Sequence, residues 1–155
     1  MKAIIYNKYG SPDVLELKEV EKPVPGDNDV LVNIQAASAN AADWRFMRGK
    51  PFLLRLMFGF LKPKFNILGA DIAGRIEAVG NNVKRFQPGD EVFGDISDCR
   101  WGGFAEYVST CEEALVLKPS NINFDEAAAV PFAAVTALQG LRTHGNIQEG
   151  QSVLI

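Results

Sequence analysis

Few side chains in this 155-residue chain could do chemistry, and their spacing narrows the field. Asn40 and Asp43 stand three positions apart in Ser38-Ala39-Asn40-Ala41-Ala42-Asp43. That is roughly one helical turn, so an amide and a carboxylate can share one face of a helix starting there. Such an Asn can meet a ligand, or it can complete backbone hydrogen bonds at a strand-to-helix turn. An Asp in a first turn is also favoured by the helix dipole alone. Asp71, in Gly69-Ala70-Asp71, is expected to make a structural hydrogen bond. Thr136 is a lone hydroxyl within the apolar run 131–138, able to touch a ligand or to bond back to its own helix. Metal chemistry has little to work with: Cys99, Cys111 and His144 match no ligand spacing, and no metal site is expected.

These residues need elements to position them. Residues 1–6 and 15–20 read as strands joined through Gly10-Ser11-Pro12, and Pro23 and Pro25 keep the next connection out of any central strand. Residues 30–36 and 74–79 alternate apolar and polar, the period-two mark of half-buried strands. Gly69 and Gly74 bracket a run where backbones can approach closely. A tight turn is expected at Asn81-Asn82, and a type II turn at Pro88-Gly89-Asp90, with Gly supplying φ > 0. Further short strands are expected at 91–94, 105–109 and 114–118, and a short helix at 41–48. The fold class is therefore mainly β with some α, a partly open barrel with short helices.

The pattern changes after Pro119. Asn123 followed by Glu126 has capping-box spacing for a helix over 125–130. Pro131 interrupts that helix and restarts it as a first-turn residue. Phe132, Val135, Leu138 and Leu141 form an apolar stripe that ends near Gly145, the expected C-cap. Residues 152–155 read as a buried parallel strand. Two units result, 1–122 and 123–155.

With 47% hydrophobic and 23% charged residues, composition is that of an ordinary globular chain. A net charge of −3 offers no basic stripe for nucleic acid, and no apolar run reaches the ~20 residues that span a bilayer. Without a signal-peptide pattern, Cys99 and Cys111 are expected as free thiols in a reducing cytoplasm. The segment 51–61, Pro-Phe-Leu-Leu-Arg-Leu-Met-Phe-Gly-Phe-Leu, is flanked by Arg48, Lys50, Lys62 and Lys64. It reads as a lid over an apolar mouth, an interfacial helix, or a segment packed on the barrel.

Six spaced motifs in order carry a resemblance: MKAIIY at the start, DVLVNIQAASANAAD at 29–43, GADIAG at 69–74, PGDEVFG at 88–94, GGFAEYV at 102–108 and EAAAVPFAAVTALQGL at 126–141. Together they resemble the medium-chain dehydrogenase/reductase superfamily, in its zinc-independent, quinone-oxidoreductase-like branch. The resemblance covers essentially the whole chain. It implies a GroES-like substrate-side domain over 1–122, followed by the first helix and strand of a Rossmann domain. No G-x-G-x-x-G turn follows that strand, so the chain is expected to be a fragment of a larger enzyme. The alternatives are a free-standing chain whose last strand pairs with another chain, or a non-enzymatic GroES-like binding or assembly module.

The resemblance also implies roles. Asn40 and Asp43 become catalytic candidates, with Asn40 facing a nicotinamide ring and Thr136 contacting the dinucleotide. Trp44, Arg45, Phe46 and Trp101 become substrate-cleft candidates. Zinc-dependent relatives carry a Cys and a His where Asn40 and Ala70 stand here, and an amide and a methyl cannot replace a thiolate and an imidazole. The implied cofactor is NADPH or NADH without zinc, and the implied substrate a quinone, enone or aldehyde. Without a metal to polarise the acceptor, Asn40 and nearby backbone amides would steady developing oxyanion charge. A homo-oligomer is compatible with all of this.

Overall fold

A computed structural model of the chain describes residues 1–154, apart from the side chain of Met57. Strands β1 (Lys2–Ile5) and β2 (Glu16–Glu19) pair antiparallel as a small sheet. The larger sheet is formed by β3 (Asp29–Ser38), β4 (Asp71–Val79), β5 (Glu91–Asp95), β6 (Tyr107–Cys111) and β7 (Val116–Leu117). Its order is β6-β3-β4-β5-β7, antiparallel throughout. Neither sheet closes on itself, although single bridges at Ala3–Ala105 and Ile5–Ile67 tie β1 to the flank of the large sheet. The expected partly open β architecture is what forms.

The alternation read from the sequence places the core. Arg75 and Glu77 face outward on β4, while Ile72 and Ile76 face inward onto Val30, Val32, Val92 and Leu115. Two register shifts bend β3 along β4, one with Glu77 of β4 as the extra residue between Leu31 and Val32, the other with Gln35 of β3 between Ile34 and Ala36. The turn at Pro88-Gly89 has Gly89 at φ +98° and a bond from the Asp90 N–H to the Gln87 carbonyl, as a type II turn requires.

Helix α1 (Ala41–Arg48) leaves the end of β3 and stops at Gly49, whose φ of +58° is the left-handed cap. Helix α2 is Leu53–Phe58, α3 Phe124–Ala128 and α4 Pro131–Leu138. At α3 the capping box is complete: Glu126 N–H donates to Asn123 Oδ1 at 2.8 Å and Asn123 N–H donates to the Glu126 carboxylate at 2.9 Å. Two expected strands shift. The 105–109 strand forms two residues later as β6, and β7 keeps only two residues because Glu112–Ala114 winds into a 3₁₀ turn.

Two expectations fail. Residues 152–154 form no strand and lie exposed, while Ile155 lies outside the described residues. A strand needs a neighbour for its backbone groups, and neither edge of the large sheet receives this one. Gly145 does end the preceding helix, but through a π-helical stretch (Gln139–His144) closed by a bond from Gly145 N–H to the Gly140 carbonyl, with φ −78° rather than left-handed.

The cysteines are the second correction. They are not free: Cys99 and Cys111 are joined as a disulfide, with Cα atoms 6.1 Å apart. Cys111 pairs with Asp29 across β6 and β3, and Arg100 forms an ion pair with the same Asp29 at 3.3 Å. The loop residue before Arg100 is thereby carried to the end of β6, a proximity that linear spacing does not reveal.

Candidate active site

The β3-to-α1 junction turns one carboxylate into the helix end and the hydrogens of one amide away from it. Asp43 is buried, and its carboxylate accepts from the backbone N–H of Asn40 at 2.7 Å and of Gly69 at 3.0 Å. It therefore fastens α1 to the loop before β4. The Asn40 side chain faces the Asp43 N–H in a capping box with Asp43 but makes no full hydrogen bond to it. Its Nδ2 donates instead to the Asp71 carboxylate at 3.0 Å and to Ser38 Oγ at 3.2 Å. Because Asp71 accepts, the direction of the amide is fixed. Both amide hydrogens are committed, which leaves Oδ1, turned toward the Asp43 N–H of the capping box, as the acceptor of this side chain. An amide free both to donate and to accept was expected here; its hydrogens are already used, and the acceptor is what remains.

Asp71, fully buried at the start of β4, also accepts from the backbone N–H of Phe132 at 3.1 Å and from Ser38 Oγ at 3.1 Å. The structural bond expected of Asp71 is thus the joint between the sheet, the Asn40 amide and the first turn of α4.

A cavity of about 510 Å³ opens beside α1, lined by Asn40, Ala41, Trp44, Met47, Leu68 and Phe104 among others. It is chiefly apolar with a few polar groups, the usual character of a small-molecule site. Of the predicted residues, Asn40, Asp43 and Trp44 meet here. The others do not. Phe46 and Trp101 stack edge-on at 4.7 Å in an aromatic cluster with Phe58, Tyr6 and Leu68. Arg45 is exposed, its guanidinium 5.9 Å from the Trp44 ring. Thr136 lies on α4 beside a second cavity of about 500 Å³, with Asp95, Asp98, Cys99 and Glu113 nearby. Leu68 and Phe104 were missed; their signals were the motifs GADIAG and GGFAEYV, whose loops lie against each other through the bond from Phe104 N–H to the Leu68 carbonyl.

Burial pushes the carboxyls of Asp43 and Asp71 above the usual carboxylate range. Their hydrogen-bond donors pull the other way, and Asp95 adds repulsion. The folded state then holds these protons more tightly than the unfolded chain. The stability they contribute is complete below the ordinary Asp value of about 3.9 and is lost as pH rises through the raised values. The unfolding free energy of the wild type minus that of Asp43→Asn should therefore fall across that window in urea titrations. A difference independent of pH would contradict the assignment.

Residues 26–120 match the alcohol dehydrogenase GroES-like domain family. Among curated relatives, 2-methylene-furan-3-one reductase of Solanum lycopersicum is 38% identical across all of this chain and 40% of its own length. The chloroplast envelope quinone oxidoreductase homolog of Arabidopsis thaliana is 39% identical over 91% of this chain and 42% of its own. The solved quinone oxidoreductase of Coxiella burnetii superposes with a TM-score of 0.86 at 30% identity, covering 97% of this chain and 46% of that one. The chain belongs to the quinone-oxidoreductase-like branch of the medium-chain dehydrogenase/reductase superfamily. It spans less than half the length of the relatives it matches. Among the described residues no helix is long and apolar enough to cross a membrane, and no group of three or more His, Cys, Asp or Glu is placed to hold a metal ion.

Proposed function

We propose that this chain is the substrate-side part of a zinc-independent, NADPH- or NADH-dependent oxidoreductase acting on a quinone, enone or aldehyde. The observation that carries the reading is the apolar cavity beside α1 with Asn40 and Asp43 as the polar residues of its α1 wall. Relatives named as quinone, enone and alkenal reductases support it over a non-enzymatic assembly module. Asn40 and Ala70 supply no thiolate or imidazole where zinc-dependent relatives carry metal ligands, which supports the zinc-free form. Residues 1–122 would form the substrate-side domain and 123–155 the start of the nucleotide-binding one.

A bound nicotinamide cofactor supplies the hydride. Asn40 Oδ1 suits the amide hydrogens of a carboxamide, and Thr136 adds a hydroxyl on α4. Three carboxylates near Thr136 do not suit a pyrophosphate, so the phosphates would be held by residues other than these. With the Asn40 amide hydrogens spent on Asp71 and Ser38, donors to a developing oxyanion must come from backbone. The Asp43 N–H is used by the Asn40 carbonyl, but the N–H groups of Ala41 and Ala42 lack intrahelical acceptors, and Ala41 is on the cavity wall. A delocalised acceptor such as a quinone or enone asks least of so few donors. Asp43 acts here by positioning, through the Asn40 and Gly69 amides, and Trp44 offers an apolar surface to substrate. Arg45, Phe46 and Trp101 would act at one remove. A cytoplasmic location and a homo-oligomeric parent belong to the same proposal; fractionation of cells and sedimentation of the purified full-length protein test them.

In the full-length protein, Asn40→Ala should lower kcat/KM for an enone about 10- to 100-fold, or about 1.4–2.7 kcal/mol. The thermal midpoint is measured alongside. Unchanged kcat/KM in a folded variant would sink the role given to Asn40.

A further inference from the structure

The chain's cations are segregated. It carries 16 Lys and Arg against 19 Asp and Glu, yet residues 44–70 hold six of the cations and none of the acids. Ten cations face nineteen acids elsewhere, so an acidic molecule carries one strongly positive segment.

That segment also exposes the largest cluster of apolar side chains outside the C-terminal helices. Phe52, Leu53, Leu56, Phe60 and Leu61 are each more than half exposed. They do not belong to a loose loop. Tyr9 Oη donates to the Gly59 carbonyl at 2.7 Å and to that of Phe58 at 3.2 Å. The Phe58 ring packs 4.5 Å from that of Phe46, and Arg55 Nε donates to the Gly49 carbonyl at 3.1 Å. Residues 52–61 are thus held from inside by Phe58, Tyr9 and Arg55 while Phe52, Leu53, Leu56, Phe60 and Leu61 face water. Phe52 and Phe60 lie edge-on at 5.6 Å, making one outward aromatic pair. Lys50, Lys62 and Lys64, all exposed, bracket this surface, and exposed Trp44 adjoins it with Arg45 and Arg48.

We propose that residues 44–64 form a peripheral docking surface for an anionic lipid bilayer. Phe52, Leu53, Leu56, Phe60 and Leu61 enter the headgroup–acyl boundary, and the lysines and arginines meet the lipid phosphates. An apolar face rimmed by cations is how interfacial helices bind membranes without spanning them, and each cation near such a surface adds to the attraction. The acidic remainder is repelled by the same surface, which orients the molecule with this segment down. A lid over substrate would need the apolar residues but not the cations.

Co-sedimentation of the full-length protein with vesicles decides the matter. Phosphatidylcholine vesicles containing roughly one-third phosphatidylglycerol are compared with pure phosphatidylcholine. Binding is expected to the anionic vesicles only and to weaken as salt is raised above about 0.1 M. Lys62→Glu/Lys64→Glu and, separately, Leu53→Ser/Leu56→Ser/Leu61→Ser should each bind at least about tenfold more weakly. All these positions are exposed, so thermal midpoints should hold, and the charge variant tests the idea even if the apolar one misfolds. No preference for anionic vesicles overturns the proposal, as does undiminished binding by the charge variant. A triple variant that binds vesicles normally but raises KM for long-chain enones would identify a substrate lid instead and overturn it too.

Discussion

Gly74→Ala should destabilise the fold by about 3–5 kcal/mol, although it adds a single methyl group. A Cβ at this position would run into the Asn33 carbonyl oxygen of β3 and lie 2.9 Å from Val32 Cγ1. Gly74 sits opposite Ile34, between the two register shifts that bend β3 along β4. Both strands are interior to the sheet, β3 held by β6 and β4 by β5, so neither can step aside without breaking its outer ladder. Gly140→Ala is the matched control. Nothing lies within 4 Å of its Cβ and its φ is not positive, so it should be neutral or stabilising by up to about 1 kcal/mol. Urea unfolding of the two variants measures the contrast. Similar changes at both sites would mean that the close approach of β3 to β4 does not govern Gly74.

That close approach was legible in the sequence, where Gly69 and Gly74 bracket a strand start, as were other features set by neighbouring residues. Helix α1 begins and ends where the Asn40 junction and Gly49 allow. The Asn123–Glu126 spacing became a reciprocal pair of bonds, and Pro131 restarts a helix at its first residue. Features that depend on partners far along the chain were not legible. Cys99 reaches Cys111 because the loop after β5 turns back on Ile96 and lies beside the end of β6, where Arg100 meets Asp29. The strand expected at 152–155 has the right residues but no neighbouring strand, so residues 152–154 stay exposed. The apolar stripe of α4 has the same fate, with Val135 and Leu138 exposed. Periodicity reports which face wants cover, while the cover itself must come from elsewhere.

The candidate site shows the same division more sharply. Residue type singled out Asn40, and the resemblance gave it a ligand to face. Neither could tell which end of the amide points outward, because that depends on Asp71, 31 residues later. Phe46 and Trp101 carried the same aromatic signal as Trp44. Only the fold shows that they stack on each other while Trp44 lines the cavity.

Asp71→Ala should then be the most damaging single change at the site, costing about 2–4 kcal/mol of stability. The carboxylate is fully buried and serves Ser38, Asn40 and the Phe132 N–H together. Its removal leaves donors from three elements unmatched, and relief of the carboxylate's own desolvation offsets only part of that loss. Asp71→Asn is the discriminating companion. It keeps the volume and one acceptor, which can still receive the Phe132 N–H, but its new NH₂ confronts the Asn40 amide. It should cost about half as much, and Ser38 can soften the conflict by turning its hydroxyl to accept. If Asp71 is the joint described, Asn40→Ala and Asp71→Ala should be non-additive by about 1 kcal/mol or more in a double-mutant cycle, because both break the same bond. Additive losses would mean that the Asn40 amide is held by its surroundings without Asp71. The link from α4 through Asp71 and Asn40 to the cavity wall would then fall.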